Sequence, residues 1–116
     1  MRHLNKGRKF HRKKGQRRAF LKGLAGNLIL KEKITTTEMR GKELKSFVEK
    51  LVTLAKKQNL ASLRLLISRL NKKSAQKLFY EIAPRYQNRR GGYLRVIKSG
   101  LRRQNDAARM AVVEFV

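Results

Sequence analysis

From Met1 to Leu24 the chain carries Arg2, Lys6, Arg8, Lys9, Arg12, Lys13, Lys14, Arg17, Arg18 and Lys22, two histidines and no carboxylate. The first acid is Glu32. Like charges packed this densely repel one another, so the stretch cannot collapse on itself without counterions. It is expected to lie outside any core and to seek a polyanion. The imbalance holds for the whole chain, with 31 Lys and Arg against 7 Asp and Glu, a formal charge of +24 and an isoelectric point near 11.6. Such a surplus opposes compaction of the free protein and favours association with polyanions. Nucleic acid, an anionic membrane surface and an acidic protein are the partners it admits.

A length of 116 residues suits one domain with a modest core. The expected division is an extended basic arm over 1–15 and a globular body over 16–116. The absence of Cys removes a disulfide framework, a thiolate zinc site and a cysteine nucleophile. Apolar runs such as 65–67 and 110–113 fall far short of the roughly eighteen residues a spanning helix needs. No apolar signal segment follows the basic start, so a cytoplasmic protein is expected. The acids Glu32, Glu38, Glu43, Glu49, Glu81, Asp106 and Glu114 are scattered, with no evident acid and base pair. Of these, Glu43 and Glu49 fit exposed helix positions within charge pairs. His3 and His11 have no third donor nearby. Neither an enzyme, nor a metal or cofactor, nor a small-molecule substrate is expected.

Along the chain, Met1, Leu4 and Phe10 fit no period, and Gly7 and Gly15 interrupt them. Phe20, Leu21, Leu24, Ala25, Leu28 and Ile29 then predict a helix from about Gln16 to Lys31. Gly23 and Gly26 weaken it, and their presence points either to close contact with another backbone or a phosphate or to tolerated surface glycines. Lys33 to Thr36 predicts a short strand, with Thr35 and Glu38 as a capping box for the next helix. That helix has the cleanest stripe, in Leu44, Phe47, Val48, Leu51, Val52 and Ala55. Leu60, Leu63, Leu66, Ile67 and Leu70 predict a third helix. Ser74 is expected to cap a fourth, facing Ala75, Leu78, Phe79 and Ile82 inward until Pro84 stops it. After a loop over 85–92, the alternation from Tyr93 to Ser99 and the β-formers from Ala108 to Val116 predict a closing hairpin. One helix, one strand, three helices and two strands make a two-layer α+β domain the economical packing.

The candidate binding residues form two groups. The arm supplies Arg2, His3, Lys6, Arg8, Lys9, Arg12, Lys13, Lys14, Arg17 and Arg18. The second group is Arg85, Arg89, Arg90, Gly91, Gly92, Tyr93 and Arg95. Forked guanidinium donors bind two phosphate oxygens at once and stack on bases, and glycines let backbone approach a phosphate. Tyr93 either stacks on an unpaired base or sits half buried in the hairpin. Arg102 and Arg103, in the loop joining the strands, extend the set with less weight.

Several segments resemble one family in order along the chain. These are Met1-Arg2-His3, Glu32-Lys33-Ile34-Thr35-Thr36, Lys42-Glu43-Leu44, Leu51-Val52-Thr53-Leu54-Ala55-Lys56, Leu78-Phe79, Ala83-Pro84-Arg85-Tyr86, Arg90-Gly91-Gly92-Tyr93 and Met110 to Val116. Together they are similar to the L-seventeen family of bacterial large-subunit ribosomal proteins. The resemblance implies a two-layer fold with a small mixed sheet of about three strands. It also implies binding to 23S rRNA and neighbouring ribosomal proteins, on the solvent side of the large subunit near the peptide tunnel exit. By position, Arg2, His3, Arg8 and Arg12 match the family's basic arm, and Arg90, Gly91, Gly92 and Tyr93 its glycine loop. Lys13-Lys14-Gly15-Gln16 and Thr37 depart from the family's usual residues. The rival by charge alone is a nucleoid-type DNA-binding protein. A membrane-active cationic protein fits less well, because the apolar stripes lie apart from the arm. A nuclease lacks a carboxylate cluster for metal.

Overall fold

The computed structural model describes residues 8–116. Along the chain it has α1 (Lys14–Lys31), β1 (Lys33–Thr37), α2 (Glu38–Ala55), α3 (Leu60–Arg69), α4 (Lys72–Lys77), β2 (Leu94–Arg102) and β3 (Arg109–Phe115). The expected α+β class and element order are those found. Arg2, His3 and Lys6 lie outside the described residues. Helix α1 takes in Lys14 and Gly15, which the charge pattern assigned to the arm.

The sheet has the order β1-β3-β2, and both pairings are antiparallel. The expected mixed sheet is thereby corrected. Strand β3 folds back from β2 and then slots between it and β1, so the two like-directed strands never touch. On one face Ile34, Val113 and Val96 form a row across the three strands, and α2 packs over all three. The other face carries Thr35, Val112 and Ile97. The hairpin is irregular toward its tip. Ser99, Gly100 and Leu101 of β2 stand opposite Met110 alone, so β2 runs on to Arg102 through residues expected to be loop.

Helix α2 carries the core as its stripe predicts, with Leu44, Val48, Leu51, Val52 and Ala55 buried and Phe47 only partly so. Ala25, Leu28 and Ile29 of α1 pack beside it. In α3 the expected stripe is only half used. Leu66 and the following Leu70 are buried, whereas Leu60 is 60% and Ile67 36% exposed. Helix α3 packs chiefly against α2 and α4, so only one edge of its apolar side is covered.

Two caps differ from expectation by a few residues. Thr35 pairs with Val112 within the sheet, and Thr37 is the residue whose hydroxyl accepts the Arg40 amide hydrogen bond at the start of α2. Asn71, not Ser74, caps α4 by accepting from the Ser74 amide at 2.9 Å. Ser74 itself is buried against α1, where an added Cβ on Gly26 would lie 3.2 Å from its Oγ. Gly26 is therefore a close-approach glycine, while Gly23 has nothing within 4 Å of such a Cβ. Beyond α4 the chain does not stop at Pro84. It widens into a π turn over Leu78–Ile82 and tightens into a 3-10 turn over Ala83–Tyr86, with Pro84 in the first positions of the latter. Pro84 lacks an N–H, and the change of pitch places it where an α-helical donor is not required.

Candidate nucleic-acid interface

The described part of the basic arm is folded back on the body, not extended. Lys9 to Arg12 form a tight turn, closed by the Arg12 amide on the Lys9 carbonyl at 3.2 Å. Phe10 and His11 occupy its middle with φ of 53° and 54°. Left-handed backbone at two non-glycine residues costs about 1–3 kcal/mol each and persists only where surroundings hold it. Here the holder is Phe20 of α1. Its ring meets Phe10 at 5.4 Å, lies 4.0 Å beneath the Arg12 guanidinium and has the Arg40 guanidinium at 5.0 Å. Arg12 also donates to the Phe10 carbonyl at 2.9 Å, and Arg17 to the Arg12 carbonyl at 3.1 Å. Charge alone predicts an extended arm; an aromatic ring flanked by cations overrides it locally. Helix α1 then starts with Gln16 accepting the Lys13 amide at 3.1 Å.

The loop between the 3-10 turn and β2 is equally well built. Lys56, at the end of α2, donates to the Arg89 carbonyl and, at 2.8 Å, to the Tyr93 hydroxyl. Glu49 accepts the Tyr93 amide at 2.8 Å. Glu49, expected at an exposed helix position within a charge pair, instead joins Lys56 in clamping this loop. Gly92 sits at φ +62°, a conformation that favours glycine. The Tyr93 ring is 2% exposed and packs on Tyr86 at 5.3 Å. Tyr93 therefore belongs to the core and offers no face to a base. Tyr86 is buried as well, which raises its phenol pKa, and it donates to the Val116 carbonyl at 2.9 Å.

The candidate cations differ in how far the protein already meets their charge. Arg8 pairs with Glu43 at 3.2 Å, Arg95 with Glu114 at 2.6 Å, Arg85 with Glu32 and Arg103 with Asp106. The hydrogen bond from Arg85, with Lys77 also near, holds the Glu32 carboxyl below its ordinary pKa. The hydrogen bond from Arg103 pulls Asp106 down to about 2. Arg89 donates to the Gly91 carbonyl at 3.0 Å and Arg102 to the Ala107 carbonyl at 3.4 Å. Lys9, Lys13, Lys14, Arg18 and Arg90 are exposed and have no side-chain partner among the described residues. Arg90 and Gly91 stand at the open end of the clamped loop. Sequence reading passed over Arg69, which the fold brings close to α1. Nothing in its local pattern separates it from a solvated lysine or arginine.

Among the described residues no group of His and acids could hold a metal, and no helix is long and apolar enough to cross a membrane. A two-layer α+β body with a cationic helix start and an arginine and glycine loop has the build of a polyanion-binding protein. The sequence profile described as Ribosomal protein L17 matches residues 20–116. "Large ribosomal subunit protein bL17" of Persephonella marina is 53% identical over 118 residues, covering 100% of this chain and 95% of that protein. Its counterpart in Sulfurihydrogenibium sp. is 50% identical over 117 residues, covering 100% and 97%. That of Sphingopyxis alaskensis is 49% identical over 117 residues, covering 100% and 84%. The chain belongs to the ribosomal protein L17 family. This is a family of structural, non-enzymatic proteins, in line with the scattered carboxylates.

Proposed function

We propose that the protein is a structural component of the large ribosomal subunit that binds 23S rRNA. Contact runs through the arm and the start of α1, with the loop around Arg90 as a second point. The observation that carries this reading is the set Lys9, Lys13, Lys14, Arg18 and Arg90, exposed and without acid partners among the described residues. Arg85, Arg95 and Arg103 contribute less, because each would have to share its charge with a carboxylate. The body acts as a rigid mount that fixes where these cations point. Neighbouring ribosomal proteins and a place near the peptide tunnel exit follow from the family resemblance.

Each cation placed on a phosphate releases a counterion, so binding should weaken steeply with salt. The test is filter binding of the full chain to 23S rRNA between low and physiological salt, with duplex DNA as competitor. Preferential retention on rRNA, with a loss on the order of 10³-fold or more if six phosphates are engaged, is the expected result. A preference for duplex DNA would overturn the reading in favour of a nucleoid-type protein. Because the chain has no Cys, an Arg90→Cys variant carries one unique attachment point. Cross-links from it in assembled large subunits should reach rRNA near the tunnel exit, and cross-links only to distant rRNA would refute that location.

A further inference from the structure

A cleft of about 750 Å³ opens between α1 and the end of α3, and no carboxylate is among the described residues that line it. Arg17, Arg18 and Lys22 stand on its α1 side together with Leu21. Lys14 at the start of α1, Arg69 in the last turn of α3 and Phe47 of α2 also line it. Positions 17, 18, 21 and 22 fall on one face of a helix, so the cations and the leucine are presented together. Phe47 is packed against the core yet only partly buried, which leaves some of its surface to the cleft.

We propose that this cleft seats one unpaired nucleotide of the bound RNA, with its phosphate among Arg18, Lys22 and Arg69 and its base against Phe47 and Leu21. The inference rests on the RNA reading above and adds a specific subsite to it. Volume is the first argument. Sites of roughly 300–1,000 Å³ take small-molecule ligands, so a nucleotide fits while a duplex does not. Charge is the second. Cations brought from two helices, with no acid among them, call for an anion supplied from outside. Apolar and aromatic surface beside them is the third, since an unstacked base finds its partner on an aromatic ring or a guanidinium plane. An acidic peptide would meet the charge but would leave that surface unused.

The test uses the full chain and intact 23S rRNA, with affinity measured by filter binding across a salt series. One variant pairs Lys22→Gln with Arg69→Gln. The control pairs Lys50→Gln with Lys57→Gln, an equal charge loss at exposed positions outside the cleft. The cleft pair should reduce the slope of log K against log salt by up to about 0.7, the value for the one single-stranded phosphate the cleft holds, while the control pair leaves it near the original value. Phe47→Leu should weaken binding at least about five-fold with no change of slope, because it removes stacking surface and no charge. Thermal unfolding establishes that this variant is folded; if it is not, the two charge pairs decide. Equal effects of the two pairs, an unchanged affinity for folded Phe47→Leu, or protection of the cleft by polyglutamate but not by single-stranded RNA would overturn the subsite while wild-type rRNA binding stood. Absence of wild-type binding to 23S rRNA would overturn the RNA reading itself.

Discussion

Helix α2 lies close against the sheet at Gly41, and this approach yields a sharp mutational contrast. A Cβ added there would sit 2.9 Å from Val113 Cγ2, 3.6 Å from Val96 Cγ1 and 3.7 Å from Thr36 Cγ2. Val113 is fully buried in the central strand, between Ile34 and Val96. Its β-branched side chain has little rotamer freedom with which to yield. Forcing a methyl into such packing costs about 1–3 kcal/mol, against which alanine in place of helical glycine returns at most about 1 kcal/mol. Gly41→Ala should therefore destabilise, by up to about 2 kcal/mol once the full helix gain is set against the clash. For a domain of this size that lowers Tm by about 4 °C per kcal/mol. Gly23→Ala, with nothing within 4 Å of its new Cβ, should instead stabilise by up to about 1 kcal/mol. Thermal unfolding followed by circular dichroism reads both. Adding Val113→Ala to Gly41→Ala should relieve part of the clash, so the double variant loses less than the two singles together. A Gly41→Ala protein as stable as the wild type, or the same sign for both glycines, would refute the packing argument.

Three further outcomes are expected. Thr37→Ala should lose about 1 kcal/mol as an N-cap deletion, and denaturant unfolding should show a smaller loss for Thr35→Ala, which caps nothing. The pKa of Glu32 lies below its ordinary value of 4.5, chiefly through the Arg85 hydrogen bond. Its stabilising contribution is therefore complete above pH 4.5 and fades as pH falls through the lowered folded value. The stability gap between wild type and Glu32→Gln should stay level above pH 4.5 and shrink below it; a gap that widens in acid would contradict the pairing. Lys56→Met should cost about 1–3 kcal/mol by leaving the Arg89 carbonyl and Tyr93 hydroxyl without their charged donor. It should also speed hydrogen exchange at the Tyr93 amide, and unchanged exchange there would show that the loop is held by other means.

How much of the interface could be read from sequence depends on the range of the interaction concerned. The cations Lys9, Lys13, Lys14 and Arg18 were legible because charge density is a local property that no distant residue cancels here. Arg85 and Arg95 looked equivalent, yet Glu32 and Glu114 meet them from 53 and 19 positions away, a neutralisation that composition cannot reveal. Tyr93 was open to two readings until the clamp from Glu49 and Lys56, over 40 positions distant in one case and 37 in the other, turned its ring inward. Gly23 and Gly26 could not be told apart three residues from each other. Only the placement of α4 against α1 gives the second one a close neighbour.

By itself the sequence determined the element order, the inward stripe of α2 and the hairpin, because each follows from a period of 3.6 or 2 within one segment. It determined the need for a polyanion as well, since a charge of +24 survives any arrangement of the chain. Tertiary structure alone decided that β3 lies in the middle of an antiparallel sheet, that the turn over Lys9 to Arg12 folds back onto Phe20, and that Arg69 joins the α1 cations around one cleft. Those outcomes depend on which surfaces meet across long sequence separations, and no local pattern encodes the meeting.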